Sequence, residues 1–223
     1  MIENTFEKRK HVLHYDTKNI PTKEQITDIL SKGIPLTTSK QKSFAFKAFV
    51  LGPDSVRSNK LLYLCEKNKI KKDHQGFKAL PSHNPNSGLF HVGSAPWTLI
   101  WTPRVSSPNP HYKKTFDETK SHWQMDEAFY VDNENRMQVS IEAAMMAKII
   151  EGLCLDSGWD SSFCLCYTAH IPTWKSIVPD IEFSPIVIQT IGIAKEYYWK
   201  TLTPEQSINN TNPTIEDLFK FVW

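Results

Sequence analysis

The most regular pattern of apolar and polar positions in the chain runs from Ser140 to Phe163. Ser140 suits the N-cap of a helix, and Glu142 places a negative charge in the first turn. A turn rich in Gly, Ser and Asp follows the helix and leads to a strand. The pattern predicts a buried helix and leaves open whether its turn is a plain loop or presents backbone N–H groups to a flat ligand. Apolar residues at the three- and four-residue steps of one helical face are Ala143, Met146, Ala147, Ile150 and Leu153.

A second amphipathic helix is predicted directly after Ile20 and Pro21. Thr22 and Gln25 have the spacing of a capping box, in which each side chain binds the other residue's backbone N–H. We expect Gly33 to end this helix, because glycine is the common residue just past a helix C-terminus. Its buried face consists of Ile26, Ile29 and Leu30.

Apolar and aromatic runs bounded by turn residues predict strands elsewhere in the chain. Helical patterns occupy residues 5–10, the stretch after Asp54 and residues 116–124, and Thr214 with Asp217 opens a short C-terminal helix. This order favours a mixed α/β layer architecture without the regular alternation of a doubly wound sheet. We see no internal repeat or linker, which predicts a single domain. The predicted strands are 44–52, Trp97–Trp101, Phe163–Tyr167 and Ile186–Ile191.

Composition and charge are those of an ordinary globular protein. The chain has 223 residues, of which 40% are hydrophobic and 22% charged, and its formal net charge is +2. The charges form no long run of one sign, which argues against a nucleic-acid partner. We find no apolar stretch of membrane-spanning length and no signal-like N-terminal segment, so we expect a cytoplasmic protein without membrane association.

Standard catalytic signatures are absent from the sequence. We find no G-x-G-x-x-G, no phosphate loop, no G-x-S-x-G and no H-E-x-x-H. The four cysteines and eight histidines show no metal-ligand spacing, which makes a metal-dependent enzyme the weakest hypothesis. A basic cluster that includes Arg9, Lys10 and His11 has two interpretations, a solvated patch or an anion site.

The order of several short motifs resembles that of the nitroreductase-like flavoproteins, which bind FMN. A basic segment, Glu7–Tyr15, precedes an Ile-Pro and an amphipathic helix, Ile20–Ile26. A polar loop, Pro35–Lys42, then runs into a strand, and Ala95-Pro96-Trp97 begins another strand. The long helix and its turn, Ala143–Ser162, complete the order. The resemblance covers nearly the whole chain, although each motif is degenerate.

The resemblance implies an α+β fold with three layers. Its central sheet would be mixed, mainly antiparallel, and flanked by helices. Residues 1–223 would form a single domain, with 197–223 as a C-terminal extension that reaches a partner subunit. Proteins of this family are typically homodimers with FMN at the subunit interface, so the resemblance also implies a homodimer.

The resemblance further implies that the basic N-terminal segment holds the FMN phosphate, which maps to Arg9, Lys10 and His11. A basic residue near the C-terminus would assist, and Lys200 is the candidate. The sequence departs from the family pattern here, since Leu13 stands where a basic residue is common and His11 where Ser is frequent. Each departure alters a contact worth about 1–3 kcal/mol if charged and buried. Losing two such contacts would weaken FMN binding roughly a hundredfold or more.

Two other segments would contact the flavin in such a protein. The polar loop would reach the flavin and the ribityl chain through Ser39 and Gln41, where Ser39 replaces a frequent Asn. The turn after the long helix would offer backbone N–H groups near the reactive nitrogen of the flavin. That turn maps to Ser161 and Ser162, with Trp159 beside them.

The implied activity is an FMN-dependent oxidoreductase that transfers electrons from NADH or NADPH to a small electron-poor acceptor. The acceptor would be a nitroaromatic or a quinone, and the mechanism ping-pong. The absence of an acid–base pair fits this reading, because the cofactor supplies the hydride chemistry. The departures above, together with Lys42 in place of a frequent Pro, keep an alternative open. In that alternative, the chain is a flavin-poor descendant of the fold that acts as a binding or interaction protein.

Overall fold

The computed structural model describes residues 5, 8–9, 12–39, 44–53, 61, 90–104, 133–165, 167 and 170–197. Within these residues the chain forms four helices and six strands. The helices are α1 (Lys23–Leu36), α2 (Phe90–Ser94), α3 (Asn133–Asp156) and α4 (Ile171–Lys175). The strands are β1 (Val12–Tyr15), β2 (Phe46–Leu51), β3 (Trp97–Pro103), β4 (Asp160–Cys164), β5 (Val187–Gly192) and β6 (Ala194–Tyr197).

Four of these strands form the central sheet in the order β2-β3-β5-β4, and every pair in it is antiparallel. Strands β1 and β6 form a separate antiparallel pair, which joins the two ends of the described chain. All seven residues of β3 are buried. This central strand is therefore covered on both faces of the sheet.

Helices and chain segments cover the two faces of the sheet, because successive strand side chains point to opposite sides. Leu99 and Trp101 of β3 pack in one hydrophobic cluster with residues of α1 and α3. Ile100 packs in a second cluster with Trp174 of α4 and Ile181. The result is a three-layer α+β architecture, as the resemblance to the nitroreductase-like flavoproteins implied.

The start of α1 confirms the predicted capping box, but its end differs from the prediction. Gln25 Oε1 accepts a hydrogen bond from the Thr22 backbone N–H at 2.8 Å, and Thr22 Oγ1 accepts one from the Gln25 N–H at 3.3 Å. The expected stop at Gly33 is wrong, since the helix continues to Leu36. A Cβ at Gly33 would overlap Ile150 Cδ1, so this glycine allows α1 to approach α3 closely.

Helix α3 confirms the predicted buried face and corrects its beginning. Ala143, Met146, Ala147 and Ile150 are buried, and Leu153 packs partly buried against the same cluster. The helix begins at Asn133, seven residues before the expected N-cap at Ser140, which therefore lies inside the helix.

A glycine cap ends α3, within the predicted turn rich in Gly, Ser and Asp. Gly158 has a φ of 79°, in the left-handed region. Its N–H donates to Leu155 O at 3.1 Å, and the Trp159 N–H donates to Cys154 O at 2.9 Å. These two bonds form the Schellman motif, which satisfies carbonyl groups in the last turn of the helix.

Strand β4 starts at Asp160 and ends at Cys164, so the predicted strand Phe163–Tyr167 is wrong by about three residues at each end. The polar residues at its start resemble a turn in the sequence, but each has a hydrogen-bond partner on another strand. Strand β5 agrees with its prediction to within one residue, whereas β3 continues two residues beyond Trp101.

Strands β1 and β6 were not predicted, because each is only four residues long and pairs with a segment far away in the sequence. Apart from Thr5, Lys8, Arg9 and Leu61, four predicted elements lie outside the described residues: the N-terminal helix at 5–10, the helical patterns after Asp54 and over 116–124, and the C-terminal helix. The single-domain assignment and the extension from residue 197 stay predictions.

Candidate functional site

Arg9 lies against the long helix and binds a buried carboxylate there. Its Nε donates to Glu151 Oε1 at 2.7 Å. The other oxygen, Oε2, is bound by Lys148 Nζ from the same helix. The Arg9 side chain is 46% exposed and that of Glu151 is 0% exposed. The predicted phosphate residues Lys10, His11 and Lys200 lie outside the described residues.

Ser39 lies against the same helix at a different point. Its hydroxyl donates to Glu142 Oε2 at 2.8 Å and accepts the Phe44 backbone N–H at 2.8 Å. The second bond closes the loop between α1 and β2, and Phe44 has a positive φ of 44°. Gln41, the other predicted residue of this loop, lies outside the described residues.

Within one chain the structure does not bring Arg9 and Ser39 together. Their partners Glu151 and Glu142 are nine residues apart on α3, which is about 2.5 turns and about 13 Å along the axis. Because the separation includes about half a turn, Glu142 and Glu151 point in opposite directions from the helix axis and lie on opposite flanks of its buried face.

The three predicted residues after α3 are held by internal hydrogen bonds. The N–H of Trp159 belongs to the helix cap. Ser161 is 2% exposed, and its Oγ accepts from Gln189 Nε2 at 3.0 Å. Ser162 is 3% exposed, and its Oγ accepts from the Val12 N–H at 3.3 Å. Both serines are thus strand residues rather than turn residues, and their contact with a flavin stays a prediction.

Sequence reasoning missed a buried polar network in which Gln189 is the centre. Its Oε1 accepts from Trp101 Nε1 at 3.1 Å, and its Nε2 donates to Ala147 O at 2.9 Å and to Ser161. The only signal in the sequence is a single amide within the apolar strand Val187–Gly192. Such an isolated polar residue in a buried strand needs partners on neighbouring elements.

A second network ties the β1–β6 pair to the central sheet. Tyr15 donates its hydroxyl to Thr190 O at 3.2 Å, and burial raises the pKa of this phenol. Asp160 Oδ2 accepts the Ala194 N–H at 2.9 Å, and Asp160 Oδ1 accepts from the Tyr197 hydroxyl at 3.2 Å. Partial burial, followed by the Asp160 charge, raises the pKa of Tyr197. Burial also raises the pKa of the Cys154 thiol near the end of α3.

Two cavities of ligand size open on the described surface. An apolar groove of about 480 Å³ follows the outer side of α3, and a more polar cleft of about 550 Å³ lies at the end of β1. The groove is lined by Thr5, Leu36, Met145, Lys148, Ile149, Gly152, Leu153 and Asp156. The cleft is lined by His14, Tyr15, Asp16, Thr17, Lys18, Ser94 and Lys195.

Among the described residues, Arg9 has hydrogen-bond donors that suit the phosphate group of FMN. The guanidinium of Arg9 binds Glu151 through Nε, and the Arg9 side chain as a whole is nearly half exposed. A guanidinium carries further N–H donors on its terminal nitrogens, and these suit the oxygens of a phosphate. Arg9 can therefore hold a phosphate while it stays bound to Glu151.

This chain is similar to known proteins in structure but not in sequence. No protein-family model matches the sequence, and no curated protein matches it. A protein from Exiguobacterium sibiricum, assigned as a nitroreductase and solved in complex with FMN, superimposes with a TM-score of 0.65 at 12% identity, over 100% of this chain and 97% of the other. The chain has the nitroreductase fold.

Two further structures share the nitroreductase fold with this chain. A protein from Staphylococcus epidermidis, assigned as an NAD(P)H:FMN oxidoreductase, has a TM-score of 0.65 at 13% identity, over 100% of this chain and 96% of the other. A protein from Bacteroides fragilis, assigned as an oxidoreductase, has a TM-score of 0.58 at 14% identity over 86% of this chain. The chain spans only 65% of the length of that protein. Identities this low make the chain a divergent example of the nitroreductase fold.

The described part of the chain lacks two other features, a metal-binding cluster and a membrane-spanning helix. No group of three or more His, Cys, Asp or Glu side chains there could hold a metal ion. None of the helices there is long and apolar enough to cross a membrane.

Proposed function

We propose that this protein is an FMN-dependent oxidoreductase that transfers electrons from NADH or NADPH to a small electron-poor acceptor of the nitroaromatic or quinone class. The observation that carries the proposal is the full-length likeness to the E. sibiricum nitroreductase solved with FMN. The S. epidermidis neighbour, assigned as an NAD(P)H:FMN oxidoreductase, supports a nicotinamide as the donor. The kinetics would be ping-pong, with donor and acceptor using the site in turn.

The residues proposed to hold FMN are those that the sequence resemblance indicated. Arg9, with Lys10, His11 and Lys200, would bind the phosphate. The loop residues Ser39 and Gln41 would contact the flavin and the ribityl chain, and the segment Trp159–Ser162 would lie at the ring. Bound FMN would supply the hydride chemistry, and the protein would supply orientation and electrostatics.

We further propose that the protein is a homodimer with FMN at the subunit interface. Arg9 and Ser39 contact opposite flanks of α3 in one chain, so a flavin that touches both would take one from each subunit. The outer side of α3 is suited to a second copy, because large apolar side chains are exposed at four-residue steps. Met137 is 62%, Ile141 53% and Met145 45% exposed, and Leu36 beside them is 58% exposed.

Sedimentation equilibrium tests the dimer directly. Ile141→Glu would place a charge at the centre of the proposed contact and should convert the dimer to a monomer. Val50→Glu alters another exposed apolar residue, on β2, and should leave the dimer intact. A wild-type chain that sediments as a monomer would contradict the proposal.

Purification followed by flavin analysis tests the function. We expect a yellow protein that contains or takes up FMN and that oxidises NADH or NADPH when menadione or a nitroaromatic is present. A colourless protein that takes up no added FMN would refute the oxidoreductase and favour the flavin-poor alternative. The cytoplasmic location and the absence of a nucleic-acid partner stay predictions from the sequence.

A further inference from the structure

Glu151 is a fully buried carboxylate on α3 whose two oxygens are bound by two different cations. Arg9 Nε donates to Oε1 at 2.7 Å, and Lys148 Nζ binds Oε2. An unpaired buried carboxylate would cost several kcal/mol. The presence of Glu151 at this position therefore requires nearby cations, and α3 already supplies one of them.

The two cations differ in where they come from. Lys148 is three residues before Glu151 on the same helix, so its contact is local. Arg9 comes from the N-terminal segment, 142 residues away in the chain. The Arg9 contact thus fixes the N-terminal basic segment against α3, which a local ion pair does not do.

The contact also determines how the Arg9 guanidinium is oriented. Glu151 binds the Nε edge and is itself 0% exposed, whereas the Arg9 side chain is 46% exposed. The bound edge of the guanidinium consequently faces the protein interior. Two positive charges and one negative charge meet here, so the group as a whole still attracts an anion.

We propose that Glu151 is a positioning residue that holds Arg9 with its terminal nitrogens toward the phosphate of bound FMN. This inference rests on the proposed function, because it assumes that FMN is the ligand. An arginine fixed in advance loses less side-chain freedom when it binds a phosphate than a mobile arginine does. Glu151 therefore increases affinity for the phosphorylated flavin without touching it.

Comparison of FMN with riboflavin isolates this effect, since riboflavin lacks only the phosphate. Glu151→Gln keeps the side-chain size and a carbonyl oxygen but removes the charge that holds Arg9. Flavin fluorescence quenching should show that the FMN affinity of this variant is about tenfold lower, as expected when a charge-assisted contact loses its geometry. Riboflavin affinity should be unchanged, which a general loss of structure would not produce.

Thr5→Val provides a matched control. Thr5 lies in the same N-terminal segment, and its hydroxyl donates to Asp156 Oδ1 on the same helix at 2.7 Å. This variant removes a tie between the segment and α3 without altering Arg9 or Glu151. The ratio of FMN affinity to riboflavin affinity should stay at the wild-type value, and a fall equal to that of Glu151→Gln would overturn the specific role of Glu151.

Arg9→Lys keeps the inference refutable if Glu151→Gln does not fold. Lysine keeps the positive charge beside Glu151 but lacks the terminal guanidinium nitrogens whose N–H groups would bind the phosphate. The ratio of FMN to riboflavin affinity should fall in this variant as well. A wild-type ratio in every folded variant of Glu151 and Arg9 would overturn the inference alone, whereas a wild-type protein that binds no FMN would overturn the proposed function and this inference together.

Discussion

Gln189 Nε2 lies 3.0 Å from Ser161 Oγ, between two neighbouring strands of the central sheet. The same amide group reaches Ala147 O on α3 and accepts the Trp101 indole N–H from β3. One side chain thus joins three strands and the helix that covers them. Because Gln189 is 0% exposed, water cannot replace any of these partners without opening the core.

Gln189→Leu should lower the free energy of unfolding by about 2–4 kcal/mol, because it leaves buried polar groups on two strands without partners. Urea unfolding measures the loss. Ser161→Ala removes a single bond of the network and should cost less than Gln189→Leu. Equal stability of wild type and Gln189→Leu would show that this network contributes nothing to the fold.

Gly192 lies where β5 passes Pro96 and Tyr15. A Cβ at this glycine would be 2.8 Å from Pro96 Cδ and 2.8 Å from Tyr15 Cδ1, and the proline ring cannot rotate away. We expect Gly192→Ala to lower the free energy of unfolding by about 1–3 kcal/mol through this overlap. Thermal or urea unfolding provides the measurement.

Gly158→Ala is the matched control for Gly192→Ala. No atom lies within 4 Å of a Cβ at Gly158, so space is not limiting there. The residue has a φ of 79°, which costs a non-glycine residue about 1–2 kcal/mol. Gly158→Asn should recover part of that loss, since Asn tolerates this conformation, whereas no larger side chain should be tolerated at Gly192. A fully stable Gly192→Ala would mean that β5 and Pro96 are further apart than described.

The parts of the fold that follow one periodic pattern could be predicted from the sequence. Helix α3 buries apolar residues at helical spacing, and strand β3 buries a continuous apolar run. Both elements were predicted from these patterns. The start of β4 could not be predicted, since Ser162 finds its partner Val12 150 residues away. In the candidate site, Arg9 was predicted from its basic neighbours and the family resemblance, and its role there stays a prediction. Glu151 was not, because a glutamate within a helix resembles an exposed position until its distant cation is known.

Asp160 holds β6 against the central sheet, so its loss should loosen that strand. In Asp160→Ala the Ala194 N–H loses its acceptor, and the Tyr197 hydroxyl loses its carboxylate. We expect a loss of about 1–3 kcal/mol in the free energy of unfolding. Hydrogen exchange should show faster exchange at the amides of β6. Tyr197→Phe keeps the Ala194 bond and should affect that exchange less, and equal exchange rates in both variants would contradict the role of Asp160.

Stability should decrease in alkali, because two buried acids keep their protons in the folded state. Burial raises the pKa of the Cys154 thiol above its ordinary value of 9.0 and that of the Tyr15 phenol above 10.0. Below pH 9 both groups are protonated in the folded and unfolded chains, so they add no pH dependence. Above these values the unfolded chain binds fewer protons than the folded chain, and each group then lowers stability by about 1.4 kcal/mol per pH unit.

Urea unfolding between pH 8 and pH 11 of wild type and of the single variants Cys154→Ala and Tyr15→Phe separates the two contributions. Each variant should be less stable than wild type at pH 8 because it loses buried contacts. Each should also lose stability less steeply than wild type as the pH rises, Cys154→Ala from about pH 9 and Tyr15→Phe from about pH 10, which are the ordinary values of the two groups. Parallel pH profiles for all three proteins would show that neither group titrates with a raised pKa in the folded chain.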